Sequence, residues 1–324
     1  LTWFVPFVRL AAGEDPREQV REILLQIGVP FLAFAIFLGV WSVLASGVQT
    51  SLGEIPGPAQ VYEEAKGLVA DHYAEREKEA AFYERQKKRV AEAVAEDPAA
   101  DVTMRTWTGK RTYLDQIVTS LYTVFTGFAI GTVVAIPLGI LCGLSRTFQI
   151  AINPLIQIFR PVSPLAWLPI VTIVISAIYT SQDPMFEKSF IVSAITVTLC
   201  SLWPTLINTA VGVASIDKDL MNVSKVLRLS AWTKVTKIVL PSSLKLIFTG
   251  LRLALGVGWM VLIAAEMLAQ NPGLGKFVWD EFQNGSSHSL GRIMVAVFTI
   301  GFVGFMLDRM MATLQQLVSF GEAS

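Results

Sequence analysis

The chain alternates between long apolar runs and polar connections, and six of the apolar runs are long enough to cross a membrane. A helix that spans the hydrocarbon core needs about 20 predominantly apolar residues. The pattern therefore predicts an all-α membrane protein with about six transmembrane helices. The predicted spans are residues 28–48, 117–144, 150–179, 190–215, 246–268 and 293–311.

The composition agrees with a membrane location. Of the 324 residues, 53% are hydrophobic and 16% are charged, whereas soluble chains have about 45–50% and roughly 25%. The formal net charge is zero, so no nucleic-acid partner is indicated. Two cysteines and two histidines are too few for a disulfide framework or a Cys/His zinc site. We therefore expect no metal site in this chain.

The third apolar run is interrupted by Pro154, Pro161, Pro164 and Pro169. Irregular backbone at membrane depth is tolerated only where protein buries it or where it lines a wet cavity. Arg160 falls about 15 Å along this run, near the middle of a core about 30 Å thick. A central arginine is costly in lipid, so Arg160 is expected to face the bundle interior or to extend to the interface.

Arg252 and Glu266 are two further charges within a predicted span. About 21 Å separates them along one helix, so they cannot pair with each other. For each charge, a structural role such as interhelical pairing and a contact with a permeating anion both remain open. The candidate pathway residues are Arg160, Ser163, Gln157, Asn208, Arg252 and Glu266.

Lysines and arginines in short loops predict the orientation. Eleven lie on one side of the predicted spans and three on the other, which places both termini in the cytoplasm. The predicted layout is a cytoplasmic N-terminal segment (1–27), the first transmembrane helix (28–48), an external insertion (49–116), a core with five transmembrane helices (117–317) and a cytoplasmic tail (318–324).

The insertion has ten basic and 13 acidic residues, and segments of this length translocate largely regardless of charge. Residues 58–96 have apolar positions at helical spacing, and Pro98 is expected to end that helix. We interpret the segment as a solvated external helix or helical hairpin. The alternative is a docking surface for an external partner.

Residues 216–245 form the predicted cytoplasmic loop. Asp217 or Asp219 can cap one short helix, and Ser230 can cap a second that runs from 231 to 239 and ends at Leu240-Pro241. Apolar residues with basic flanks are typical of a docking surface. They are equally typical of amphipathic helices attracted to anionic lipid at the inner leaflet.

The segment from Asn222 to Pro241 resembles the E-A-A-x3-G-x9-I-x-L-P loop of ATP-binding-cassette (ABC) importer permeases. Asn222 stands at the usual Glu, Val223 and Ser224 at the two Ala, and Arg228 at the Gly that normally permits a positive φ. By this resemblance, the residues that couple the chain to an ATPase are Asn222, Ser224, Lys225, Arg228, Ile238, Leu240 and Pro241.

Further segments, 160–169, 248–268 and 271–281, look like the nitrate/sulfonate/bicarbonate branch of these permeases, and the last looks most like its nitrate members. The resemblance covers roughly residues 116–317. It implies a type I ABC importer permease bundle with cytoplasmic coupling helices in a bacterial inner membrane. The implied partners are a second permease subunit, here a homodimer, two ABC ATPase subunits, and a periplasmic or lipid-anchored substrate-binding protein.

The sequence contains no G-x4-G-K-[ST] phosphate loop, so ATP and Mg are expected on the partner ATPase subunits and no catalytic residues are expected in this chain. The leading hypothesis is the membrane subunit of an importer for a small oxyanion, with nitrate (together with nitrite or cyanate) as cargo. The alternatives are an importer of bicarbonate or of sulfonates such as taurine. From another class, an ATP-independent channel or an ion-coupled carrier is the competing hypothesis.

Overall fold

The computed structural model describes residues 16–50, 53–96, 103–180, 185–286 and 288–319. Most of these residues are helical. The helices, in chain order, are α1 (Pro16–Ile23), α2 (Val29–Ser46), α3 (Pro58–Glu96), α4 (Tyr113–Leu144), α5 (Arg146–Phe159), α6 (Pro164–Ile178), α7 (Lys188–Ala214), α8 (Lys218–Val226), α9 (Ala231–Lys234), α10 (Leu240–Ala269), α11 (Leu274–Asn284) and α12 (Ser289–Ser319).

Two π-helical turns and one short β-ladder depart from a purely α-helical chain. A π-helical turn (Leu24–Gly28) joins α1 to α2, and a second (Val235–Val239) joins α9 to α10. The two-residue strands β1 (Gln49–Thr50) and β2 (Gly53–Glu54) form a small antiparallel ladder, which leaves the all-α class unchanged.

Five helical stretches are long and apolar enough to cross a membrane, and the pair α5–α6 makes a sixth if it is counted as one span. This confirms the prediction of about six transmembrane helices. The five stretches are Arg17–Ser46, Tyr113–Leu144, Lys188–Ala214, Ala231–Ala269 and Ser289–Val318. The first of these stretches begins at Arg17. The described residues of the predicted cytoplasmic segment 1–27 are therefore part of the same helical stretch as the first span.

The third apolar run is two helices, α5 and α6, which meet at an angle of 100°. Pro161 and Pro164 lack backbone N–H groups, so the helical ladder cannot continue through this segment. Ser163 has extended backbone, and its hydroxyl accepts a hydrogen bond from Leu165 N at 3.3 Å, which starts α6. The prolines therefore place a break where a straight span would have crossed the membrane.

The chain forms two compact units, which we describe separately. One contains the described residues of Leu1–Lys66 with Asn284–Val295, and the other contains those of Gly67–Gln283 with Ala296–Ser324. In the second unit, α7 makes its main contacts with α4 and α10. These helices approach closely because they carry glycine: a Cβ on Gly139 would lie 2.6 Å from Cβ of Thr209. The glycines therefore serve helix packing.

The second unit has two distinct ends. Arg111, just before α4, pairs with Glu187, just before α7, at 2.6 Å. Glu266, near the end of α10, meets Ser120, near the start of α4. We call this the Ser120 end. Helices α4 and α7 finish at the opposite end, where α8 follows α7, and we call it the α8 end.

The predicted helix at 58–96 is confirmed as the single 39-residue helix α3, about 58 Å long. The hairpin alternative is therefore wrong, and Pro98 lies outside the described residues. Two contacts tie α3 to the Ser120 end: Arg76 Nη2 lies 2.8 Å from Asp115 Oδ2, and His72 Nδ1 lies 2.6 Å from Thr112 Oγ1.

The predicted helix end at Leu240-Pro241 is wrong. Helix continues from Ala231 to Ala269, and Pro241 lies in the first turn of α10, where proline is tolerated because its missing N–H leaves little unpaired. The π-helical turn just before Leu240 accommodates the proline without ending the helix. The caps at Asp217 and Ser230 are confirmed, since each side chain accepts a backbone N–H of the following helix.

Candidate functional site

A polar stripe runs along one face of α5. Gln149, Asn153, Gln157 and Arg160 follow one another at intervals of four, four and three residues, which places them on one side of a helix. All four line a cavity of about 750 Å³. We call these four residues the α5 stripe. No side chain of the stripe forms a hydrogen bond with any described residue, so all four polar groups are open to a solute.

The rest of this cavity is mostly apolar. Its other residues include Cys142 of α4 and Leu206, Ile207 and Ala210 of α7. A largely apolar wall with a few polar groups on one side is the usual arrangement of a small-solute site. Because Cys142 and Ala210 lie near the ends of their helices, the cavity lies in the half of the unit nearest the α8 end.

Arg160 occupies the most informative position in the stripe. It is the C-cap residue of α5, next to the break between α5 and α6, and it is exposed in this single chain. The 14 residues of α5 place it about 21 Å from the helix start. No described carboxylate pairs with its guanidinium. An unpaired positive charge beside a largely apolar wall attracts anions into the cavity.

Two predicted pathway residues have local structural partners instead. Ser163 caps α6, and Asn208 Nδ2 donates to the carbonyl oxygen of Pro204, one turn earlier in α7, at 2.8 Å. Neither residue lines the cavity beside the α5 stripe. Of the six predicted pathway residues, the structure therefore brings together Gln157 and Arg160.

Arg252 forms an interhelical ion pair. Its Nε and Nη2 donate to the two carboxylate oxygens of Asp308 in α12, at 2.6 and 2.8 Å. Both side chains are a little over one-third exposed, and both border a second cavity of about 580 Å³. Gln315 and Thr249, which also line it, are hydrogen-bonded to each other at 2.9 Å. Two roles were left open for Arg252, and the structure shows a partner for one of them, interhelical pairing with Asp308.

Glu266 is fully buried and anchors the Ser120 end. Its carboxylate accepts a hydrogen bond from the hydroxyl of Ser120, 2.8 Å from Oε2, and one from Gly275 N at 3.0 Å. The Ser120 hydroxyl in turn accepts one from Leu274 N at 2.8 Å. Glu266 therefore connects α10 to α4 and to the start of α11, and it presents no surface to a solute in this conformation.

The buried carboxylate explains the glycines that follow α10. A Cβ on Gly273 would collide with the Glu266 carboxylate, and a Cβ on Gly275 would collide with the carbonyl of Ile263. Gln270 adopts a left-handed conformation, with φ of 56°, to end α10. The segment 271–275, part of the sequence that looks like nitrate permeases, is thus shaped by packing around Glu266.

Helices α8 and α9 present an apolar surface at the α8 end. Val226 is 82% exposed and Trp232 is 77% exposed, and Leu220, Val223 and Leu227 are exposed beside them. We call these five residues the coupling surface. Large apolar side chains clustered on an exposed face are typical of a docking site.

The predicted coupling residues divide between this face and its support. Asn222, Lys225, Arg228 and Pro241 are exposed, and Ile238 and Leu240 are half-buried. Ser224 is buried, with its hydroxyl donating to the carbonyl of Met221 at 2.7 Å. The Ser224 side chain is therefore buried and bonded within α8, while the other residues lie at or near the surface.

The turn after α8 has a left-handed residue at Arg228, whose φ is 47°. Arg228 N donates to Lys225 O and Leu229 N donates to Ser224 O, both at 3.0 Å. This hydrogen-bond pattern is a Schellman motif, which usually carries glycine at the left-handed position. The turn that glycine provides in related loops is therefore retained here with arginine, at a conformational cost.

Replacing Arg228 with glycine is expected to stabilise this turn by about 1 kcal/mol, because the left-handed conformation is strained in a residue with a Cβ. Hydrogen exchange of residues 218–230 in the lipid-reconstituted chain measures the change as slower exchange. The matched control is Arg228→Ala, which removes the charge and keeps the strain. Equal exchange in the two variants would contradict this account.

Four residues of these sites were not among the predicted pathway residues: Gln149, Asn153, Asp308 and Ser120. Gln149 lay one residue outside the predicted third span, but the four-residue spacing from Gln149 to Asn153, repeated from Asn153 to Gln157, was a usable signal. Asp308 and Ser120 act through partners 56 and 146 residues away. No local pattern indicates pairs so distant in sequence.

Comparison with known proteins places this arrangement in context. Residues 135–320 match the family described as "Binding-protein-dependent transport system inner membrane component". The chain is 33% identical over 289 residues to the nitrate import permease protein NrtB of Synechocystis sp. (strain ATCC 27184 / PCC 6803 / Kazusa), covering 89% of this chain and 88% of that protein. It is 41% identical over 208 residues to the bicarbonate transport system permease protein CmpB of the same organism, covering 64% and 69%.

The fold also resembles a solved structure. A chain from the inward-facing MetNI methionine ABC transporter superposes with a TM-score of 0.54 and is 13% identical, covering 64% of this chain and 95% of that chain. At this identity the similarity concerns the fold alone. It agrees with the predicted permease bundle.

Proposed function

Because this chain belongs to the family of binding-protein-dependent transport system inner membrane components, it is the membrane subunit of an ABC importer, and we propose that its cargo is nitrate. In this proposal the chain forms the translocation pathway and performs no chemistry. ATP and Mg bind to separate ATPase subunits. A separate binding protein, periplasmic or lipid-anchored, delivers the anion and sets most of the specificity.

The α5 stripe is the observation that carries the proposal. An anion that leaves water for a membrane interior loses strong hydration, and a positive charge with neutral hydrogen-bond donors offsets that loss. Arg160 supplies the charge, and the amides of Gln149, Asn153 and Gln157 supply the donors. Because the stripe holds a single charge, we expect weak binding, which suits a site that must release its ligand.

The names of the relatives favour nitrate and keep bicarbonate as the second candidate. The similarity to the nitrate permease of Synechocystis extends over 89% of this chain. The bicarbonate permease is more identical, at 41%, but over 64% of the chain. Both ions are small and planar with delocalised charge, so the α5 stripe could accept either one.

The coupling surface supports attachment to an ATPase subunit. Its apolar side chains, led by Val226 and Trp232, protrude from the α8 end beside the exposed basic residues Lys225 and Arg228. We propose that this surface fits a groove on a cytoplasmic ATPase. That arrangement places the Ser120 end and α3 outside the cell, with both termini in the cytoplasm of a bacterial inner membrane.

The ion pair between Arg252 and Asp308 supports a second permease subunit. In this single chain, the guanidinium of Arg252 and the carboxylate of Asp308 are both partly exposed, and both lie on helices predicted to span the membrane. Hydrocarbon does not solvate such groups, so protein or a water-filled pathway must cover them. We propose that a second copy of this chain provides the cover.

The test is transport by the reconstituted complex of permease, ATPase subunits and binding protein in proteoliposomes. We expect ATP-dependent uptake of labelled nitrate that nitrite or cyanate inhibits and that bicarbonate or taurine does not. ATP-dependent bicarbonate or taurine uptake without nitrate uptake would retain the importer and contradict the cargo. Flux without ATP would contradict coupling to an ATPase and favour a channel or an ion-coupled carrier.

A further inference from the structure

A third cavity lies at the Ser120 end, at the opposite end of the unit from the coupling surface. It has a volume of about 430 Å³. Helix α3, the segment that precedes α4, and the first turns of α4 surround it. The side chains that matter for its chemistry are those of Arg76, Trp107, Lys110, Arg111, Asp115 and Thr119. We call it the vestibule cavity.

The vestibule cavity is lined by three cationic groups and one carboxylate. The cations belong to Arg76, Lys110 and Arg111, and the carboxylate belongs to Asp115. The Asp115 oxygen Oδ2 already accepts hydrogen bonds from Thr112 N, Thr112 Oγ1 and Arg76, at 2.9, 2.7 and 2.8 Å. Arg76 Nη1 also lies 2.6 Å from Glu79 Oε2, and Arg111 is paired with Glu187. Among the described residues, Lys110 is therefore the cation of this lining that has no carboxylate partner.

Several donors in the cavity wall lack acceptors. Among the described residues, nothing accepts a hydrogen bond from the Lys110 ammonium. Arg76 Nε and Trp107 Nε1 are buried and also have no described partner. Buried polar groups are normally paired, so two unpaired N–H groups beside one cavity require an explanation. Both residues line the cavity, so a ligand bound in it is a candidate acceptor for these groups.

The tryptophan is held in place by its surroundings. Trp107 N donates to the hydroxyl of Tyr83 at 3.2 Å, and the ring of Phe82 lies 5.1 Å from its ring, centroid to centroid. A Cβ on Gly109 would collide with the indole, so the backbone lies close against the ring. The segment before α4 is thus fixed against α3, which gives the cavity a defined shape.

We propose that the vestibule cavity is a second anion site, which binds a small inorganic oxyanion before it reaches the α5 stripe. The inference rests on the proposed function for its direction, since the cavity faces the delivery side if the coupling surface faces the cytoplasm. Donors from Arg76, Trp107 and Lys110 approach from α3 and from the segment before α4. A planar anion with several oxygens can accept hydrogen bonds from all three.

Fluorine NMR of the permease–ATPase complex in nanodiscs tests this site directly. Only the permease carries 5-fluorotryptophan, and the resonance of Trp107 among its eight tryptophans is the one that Trp107→Phe removes. We expect sodium nitrate to shift this resonance saturably, while sodium chloride at equal ionic strength does not. In Lys110→Gln, which loses one charge-assisted donor, the dissociation constant should rise about tenfold.

The matched control is Lys87→Gln, which removes the same charge from an exposed position of α3 that does not line the cavity. Its dissociation constant should equal that of the unsubstituted protein. An unsaturable shift, or one that Lys110→Gln leaves unchanged, would overturn the proposal. So would a Lys110→Gln complex that binds nitrate normally and loses affinity for the binding protein, because the cavity would then be a protein contact.

Titration with sodium bicarbonate separates this proposal from the choice of cargo. A saturable shift with bicarbonate and none with nitrate would support the oxyanion site and contradict nitrate as the cargo. Conversely, ATP-dependent nitrate uptake without any saturable shift of the Trp107 resonance would support the cargo and overturn the vestibule site.

Discussion

Replacing Glu266 with alanine is expected to lower the free energy of unfolding of the membrane bundle by about 3 kcal/mol. The substitution leaves the N–H of Gly275 without an acceptor and removes the acceptor of the Ser120 hydroxyl, both in a fully buried place. It also opens a cavity where α4, α10 and α11 meet. Thermal unfolding of the reconstituted chain should show a midpoint roughly 5–10 °C lower.

Glu266→Gln separates hydrogen bonding from charge at this position. The amide keeps an oxygen for Gly275 N and stays close to the Ser120 hydroxyl, so we expect a loss below about 1 kcal/mol. Thr126→Ala is the control, since its exposed hydroxyl bonds only to the carbonyl of Tyr122 in its own helix. Unchanged stability in Glu266→Ala would contradict the structural role. Normal stability without uptake in Glu266→Gln would assign the carboxylate to transport instead.

The number of spans and the long helix α3 were predictable from sequence because both depend on local composition. A hydrocarbon core of fixed thickness requires apolar runs of a fixed length. Helix α3 begins at Pro58, a residue suited to a first turn, and continues through alanine and charged residues with high helix propensity. The continuation of helix through Pro241 was not predictable, since it depends on a π-helical turn that no residue pattern announces.

The candidate site was predictable only in part, for a different reason. A charge inside an apolar run is visible in the sequence, so Arg160, Arg252 and Glu266 could all be named. Their surroundings depend on how each helix is rotated against its neighbours. The structure gives Arg252 an aspartate, gives Glu266 a buried set of donors, and leaves Arg160 without a described partner. Three similar signals thus correspond to three different environments.

This difference between the three charges makes Arg160 the decisive residue for transport. Replacing it with glutamine should reduce anion uptake by the complete importer about tenfold to a hundredfold, because one positive charge is lost at low dielectric. Arg160→Lys keeps the charge and should retain a substantial part of the uptake. The measurement is the initial rate of ATP-dependent labelled nitrate uptake, normalised to the ATPase rate of the same proteoliposomes.

The matched control is Arg146→Gln, at the other end of α5, where the side chain is exposed and does not line the cavity. It removes the same charge from the same helix, so its uptake should stay normal if the position of Arg160 matters rather than the net charge of the chain. ATP hydrolysis that persists without uptake in Arg160→Gln would indicate that assembly survives and that the pathway alone has failed. Normal uptake in Arg160→Ala and Arg160→Lys together would remove Arg160 from the pathway, and the other residues of the α5 stripe would then have to carry the anion without a fixed charge.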